Sequence, residues 1–154
     1  GQMLTIILML IGGSPGSTAG GMKTTTMAVL VAAAISVFQR NENPELFRRR
    51  IAQETVADAA AILMMYLSLC LTGALLISRL EQLPMMACLF ETASAVGTVG
   101  LSFGITPGLG TASRIILIIL MYLGRVGGLT LIYAALSGHR IRFGKYPLEK
   151  ITVG

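Results

Sequence analysis

Ser94-Ala95-Val96-Gly97-Thr98-Val99-Gly100-Leu101 decides how this chain is read. It closes a short apolar stretch that begins at Pro84, and Pro107 follows soon after it. About a dozen residues from Pro84 are too few to cross a bilayer core, which takes roughly 20 in a helix. The stretch therefore reads as a re-entrant half-helix with proline in its first turn. A dehydrated cation needs a close ring of oxygens in place of its water, and carbonyls of a Thr-Val-Gly run supply one when the backbone turns them toward a single axis. Gly100 makes that turn easy, because a residue without Cβ tolerates positive φ. The segment points to ion permeation.

Composition gives the same setting from the other direction. Of the 154 residues, 54% are apolar and only 12% charged, and the mean hydropathy is +0.76, a profile foreign to soluble domains. The net charge of +5 comes from basic residues clustered beside long apolar spans, and Trp is absent; the excess reads as membrane topology, with lipids and not nucleic acid as surroundings. Cys70 and Cys88 both lie within apolar stretches and read as small buried residues. His139 has no Cys or acid arrangement near it, so no metal site is expected. The chain starts Gly1-Gln2 and runs straight into apolar residues, so it reads as a piece of something longer.

The predicted fold is an all-α membrane protein built on a span, pore helix, span repeat (M1-P-M2), preceded by a broken transmembrane helix. Residues 1–38 are that broken span, interrupted by the glycine-rich run at 12–23, a composition that cannot stay helical. Residues 39–54 form a basic cytoplasmic loop. Residues 55–137 make the complete repeat: M1 at 55–80, pore helix at 84–95, filter at 96–102, M2 at 111–137. The basic tail at 138–154 returns to the cytoplasm. Two spans and one re-entrant loop put both basic stretches on one side, so charge and hydropathy agree. The C-terminal end of the half-helix would point partial negative charge at the bilayer centre, which favours a cation there.

An internal repeat supports this layout. Ile7-Leu8-Met9-Leu10-Ile11-Gly12-Gly13 shares four identities in seven with Ile119-Leu120-Met121-Tyr122-Leu123-Gly124-Arg125, and Gly20-Gly21-Met22 matches Gly127-Gly128-Leu129 if the first copy holds five extra residues. The two segments read as the same helix in consecutive units. One filter strand cannot close a ring, so a complete pore needs about four units.

On these residues the chain resembles the Trk/Ktr/HKT superfamily of potassium transporters, whose pore subunit strings four span-pore-span units around one path. The run from Ile11 to Thr26 resembles the break in the second span of the family's third unit, Thr98-Val99-Gly100-Leu101-Ser102 its fourth filter strand, and Gly124-Arg125-Val126-Gly127-Gly128-Leu129-Thr130 the fourth second span. The tail Lys145-Tyr146-Pro147-Leu148-Glu149-Lys150 looks closer to the Ktr branch. The resemblance implies K+ uptake across the cell membrane, the inner membrane in a cell that has two. It implies a filter drawn from Gly97, Thr98, Val99, Gly100 and Leu101, with Gly100 its key glycine. It implies dimerisation and a cytosolic nucleotide-binding regulatory ring of the RCK type. Leu101-Ser102 in place of a continuing Gly-Tyr-Gly points to looser discrimination, with some Na+ passage. The first two units and most of the third are missing, so the segment alone should not conduct.

Alternatives stand beside several of these readings. Gly12, Gly13, Ser14, Gly16, Ser17, Thr18, Gly20, Gly21 and Lys23 read as a gate below the filter, or else as a static kink packed against a neighbour. A phosphate cradle fails, because Gly-Lys-Ser/Thr is not contiguous here. Arg125, about ten residues into a span, sits where insertion costs roughly 2.5–3.5 kcal/mol. It pairs with the loop as a positive barrier, or caps loop carbonyls. Lys23 joins that barrier or snorkels to the cytoplasmic surface. Glu91 supplies charge near the filter, or braces the back of the turn. The rival function is a membrane enzyme acting on a lipid-linked phosphate, which lacks an acid-base pair or metal cluster near the loop.

Overall fold

The computed structural model describes residues 1–14, 16, 20–39, 45–46 and 49–127. Among them run five α-helices: α1 Gln2–Leu10, α2 Thr24–Phe38, α3 Gln53–Glu81, α4 Met85–Gly97 and α5 Thr111–Val126. Inside the polar loop, Glu45–Leu46 pairs antiparallel with Arg49–Arg50, and one 3-10 turn covers Thr106–Gly108. A two-residue ladder does not alter the class, which is all-α. The part of the predicted second span at 128–137, the tail at 138–154, and Ser17 and Thr18 of the predicted gate lie outside the described residues.

The longest element is α3. At 1.5 Å per residue its 29 residues reach about 43 Å, against roughly 30 Å of hydrocarbon. Among the described residues it is the one helix long and apolar enough to cross a membrane. Tyr66, Cys70, Gly73, Ala74 and Ile77 recur at helical spacing and form its buried face. Leu71, Leu75, Leu76 and Leu80 on other faces stay exposed. A helix that is apolar on its exposed faces too has apolar surroundings there.

The short helix α4 sits at the middle of the fold, in contact with α3, α5 and α1, while α2 leans on α3. Pro84 immediately precedes it with φ −56 and ψ 132; the helix itself runs to Gly97, two residues past the sequence estimate. Cys88 and every residue from Phe90 to Gly97 are buried. Small residues let the helices close on it. A Cβ on Gly73 would stand 2.7 Å from Leu120 Cδ1 and 3.3 Å from Thr92 Cγ2, so α3, α4 and α5 meet at that glycine. One apolar cluster joins Met22, Tyr66, Ile77, Val96, Leu117 and Leu120; a second joins Ile6 and Met9 of α1 to Cys70, Phe90 and Ala93.

The ends of α3 and α5 are tied together. Glu81 Oε1, on the last residue of α3, accepts from Gly110 N at 2.8 Å and Ser113 Oγ at 2.6 Å. The carboxylate thereby serves a free N–H at the start of α5. Arg114 Nη2 donates to the Pro107 carbonyl at 2.7 Å, fixing the approach to the same helix end.

Candidate functional site

The turn at the end of α4 is a Schellman motif. Val99 N donates to Ser94 O at 3.0 Å and Thr98 N to Ala95 O at 3.1 Å, the paired bonds that close a helix on a left-handed residue. That residue is usually glycine. Here it is Thr98, with φ 52 and ψ 38, and a β-branched side chain at positive φ carries strain of order 1–3 kcal/mol. Gly100 follows at φ +83, so the chain reverses its heading within three residues. Gly97, read from the sequence as the start of the carbonyl row, is the last buried residue of α4. Val99 and Leu101 stay half-exposed on the strand beyond.

Past the turn, the outgoing strand is tied back to α4 by Glu91. Its Oε1 accepts from Ser102 Oγ at 2.6 Å and Phe103 N at 2.9 Å, and its Oε2 accepts from Thr106 Oγ1 at 2.9 Å. The residue is only 5% exposed. Of the two readings drawn from sequence, the geometry favours the brace. Phe90 and Phe103 reinforce it, their ring centroids 3.9 Å apart. A cavity of about 590 Å³ opens between the strand and α5, lined in part by Glu91, Thr98, Gly100, Ser102, Leu117 and Met121.

The glycine-rich break meets the turn directly. Ile11 and Met22 form a parallel bridge, with Gly12 N donating to Met22 O at 2.6 Å and Thr24 N to Gly13 O at 3.3 Å. Parallel pairing means that the chain leaves its helical path at Ile11 and resumes the same heading at Met22. The loop is thus an excursion from one helical course. A Cβ on Gly12 would overlap the Gly20 carbonyl, so the neck of the loop needs glycine. Gly20 N donates to Thr98 Oγ1 at 2.8 Å, and Gly21 N to the carbonyl of Gly124 in α5 at 3.2 Å.

Five glycines therefore converge: Gly12, Gly20 and Gly21 of the loop, Gly97 of α4 and Gly124 of α5. A Cβ on Gly97 would overlap the Met9 carbonyl, and one on Gly124 the Val96 carbonyl. Ser14 and Gly16 are exposed and Gly13 is half-buried. Lys23 is half-buried just ahead of α2, and Arg125 is exposed in the last turn of α5, one residue after Gly124. Sequence reading missed Tyr66, whose buried hydroxyl donates to the Gly124 carbonyl at 3.4 Å. Its signal was there, as the lone aromatic in the apolar run from Ala59 to Ser78.

A half-length helix, a filter-like turn and a looped-out span in mutual contact define an architecture that sequence comparison can test. Residues 1–140 match the TrkH family model, described as a cation transport protein. The chain belongs to the TrkH family. It is 40% identical to the potassium/sodium uptake protein NtpJ of Enterococcus hirae, covering 100% of the chain and 36% of that relative. It is 37% identical to the Ktr system potassium uptake protein B of Bacillus subtilis, covering 99% of the chain and 34% of the relative. With the Vibrio alginolyticus protein of the same name, identity is 34% over 99% of the chain and 33% of the relative. The chain spans about a third of the length of these curated relatives. TrkH family proteins are membrane transporters and not enzymes, which sets aside the lipid-phosphate reading.

Proposed function

We propose that the chain carries the fourth span-pore-span unit of a potassium uptake pore in the cell membrane, together with the end of the third. The carrying observation is the half-length helix α4, which ends on a positive-φ turn at Thr98 and Gly100 and is met there by the glycine-rich loop. Carbonyls around Gly97 to Gly100, one quarter of a ring, replace water around K+ at the negative end of a buried helix. Sodium passes with less discrimination than a Gly-Tyr-Gly filter would impose, and the name of the E. hirae relative supports both ions. Residues 12–23 with Arg125 form the barrier. Lying against the turn, the loop obstructs the path, and the guanidinium adds fixed positive charge; displacement of the loop opens it.

Other parts of the same polypeptide supply the remaining units, and the subunit dimerises. The name "Ktr system" of two relatives supports work with further subunits, for which a cytosolic nucleotide-binding ring acting on the loop from below is the fitting class. The stretches 39–54 and 138–154 face the cytoplasm, and Arg48, Arg49 and Arg50 serve topology before any docking role.

Rubidium uptake by cells expressing the full-length polypeptide tests this reading. Gly100→Ser should lower uptake about tenfold or more, since the turn loses its unstrained positive φ, while Arg125→Ala should raise it several-fold. Unchanged uptake in Gly100→Ser overturns the filter.

A further inference from the structure

The filter strand is fastened at both ends and free between them. Its inner end is held by the Schellman bonds at Thr98 and Val99 and by Gly20 N on Thr98 Oγ1. Its outer end is held by Glu91, through Ser102, Phe103 and Thr106. Among the described residues, no hydrogen bond restrains the main chain of Gly100 or Leu101 between these two anchors. A carbonyl row with no ties of its own keeps the spacing that its ends impose, and that spacing decides whether a smaller ion is held as well as a larger one.

The chemistry at the outer anchor calls for a carboxylate. Three donors converge on Glu91, and one of them, the Phe103 N–H, can do nothing but donate. Two acceptor oxygens satisfy all three with charge-assisted bonds, which are stronger than neutral ones and which justify burying the group. Glutamine offers one oxygen and one NH2, so at least one partner must turn or go unpaired. Aspartate keeps both oxygens but is one methylene too short.

We propose, resting on the filter reading above, that Glu91 is a positioning residue that sets discrimination between K+ and Na+ by fixing the outer end of the filter strand. A side chain that merely stabilised the fold would change how much protein is made and leave the ion ratio alone.

The test uses the full-length polypeptide in lipid vesicles, with initial rates of rubidium and sodium uptake normalised to folded protein. Glu91→Ala should lower the rubidium-to-sodium ratio about tenfold, the loss expected for charge-assisted bonds removed from a buried anchor. Glu91→Gln should lower it less, and Glu91→Asp should recover part of the Ala loss. The double variant Ser102→Ala with Thr106→Val removes donors from the other side and should lower the ratio several-fold. If every variant that folds keeps the parent ratio, the inference is overturned; if Glu91→Ala does not fold, the double variant alone decides. Gly100→Ser run in parallel separates the two claims. Uptake lost there with brace variants unchanged defeats the Glu91 role only, whereas uptake retained there defeats the filter and this inference with it.

Discussion

Two stretches of irregular backbone meet at the centre of this chain, and they are held in different ways. The outgoing strand at 98–106 is anchored by side chains: a buried carboxylate takes three donors from it, and one aromatic ring lies over another. Among the described residues of the loop at 11–23, the bonds at its neck and flank are Gly12 N to Met22 O, Thr24 N to Gly13 O and Gly21 N to Gly124 O, with Gly20 N on Thr98 Oγ1. Each is worth about 1 kcal/mol net, and Gly16 has nothing within 4 Å of where its Cβ would stand. Glycine serves both regions, but its consequence depends on what surrounds it. At Gly12, Gly20, Gly97 and Gly124 it permits tight contact, whereas at Gly16 a Cβ would meet nothing. On the proposed function, the strand as filter has to keep its spacing and the loop as gate has to give way.

The largest effect should come from filling the contact that cannot give. Gly124→Val puts a side chain into the Val96 carbonyl, where backbone meets backbone between α4 and α5. Overpacking of that kind costs about 3 kcal/mol or more. Little folded protein should elute from size exclusion in detergent, and what does should melt well below the parent. A variant as stable as the parent would show that this backbone contact yields, and the contrast would fail.

Gly20→Ala forces the two regions apart and asks which one moves. The added Cβ would stand 2.5 Å from Thr98 Oγ1 and 2.7 Å from Thr98 Cγ2. If the loop gives way, rubidium uptake by the full-length polypeptide rises several-fold and the rubidium-to-sodium ratio is unchanged. If Thr98 gives way, the ratio falls instead, and the strand is the softer partner.

The features legible in the sequence were those encoded by neighbours along the chain. Hydropathy, the prolines flanking a half-length apolar stretch and the glycine-rich run pointed to an all-α membrane protein of this family, because span length and helix breaking are local properties. Contacts between distant residues were not legible. Gly20 meets Thr98 across 78 positions and Tyr66 meets Gly124 across 58, and nothing local to either pair announces the other. Attention to Gly100 as the residue needing positive φ also hid Thr98, whose left-handed conformation a β-branched residue rarely adopts. Glu91 was noticed as a charge, but the choice between charge source and brace needed the positions of Ser102, Phe103 and Thr106.

The smallest effect concerns whether the anchoring around α4 extends to the edge of the fold, at the Glu81 cap beyond the apolar stretch of α3. The Ser113 hydroxyl first, then the Gly110 N–H, hold this carboxyl below its ordinary range, and the nearby Arg114 charge acts in the same sense. A carboxyl lowered in the folded state contributes stability at pH above its unfolded value and loses it as pH falls through the folded one. Melting of the detergent-solubilised protein, followed from about pH 6 to about pH 3, should therefore drop slightly more for the parent than for Glu81→Gln, because the amide cannot titrate. Equal drops would mean that the exposed cap adds nothing measurable, as many surface interactions do not. The anchoring of the strand would then reside in the buried contacts around α4.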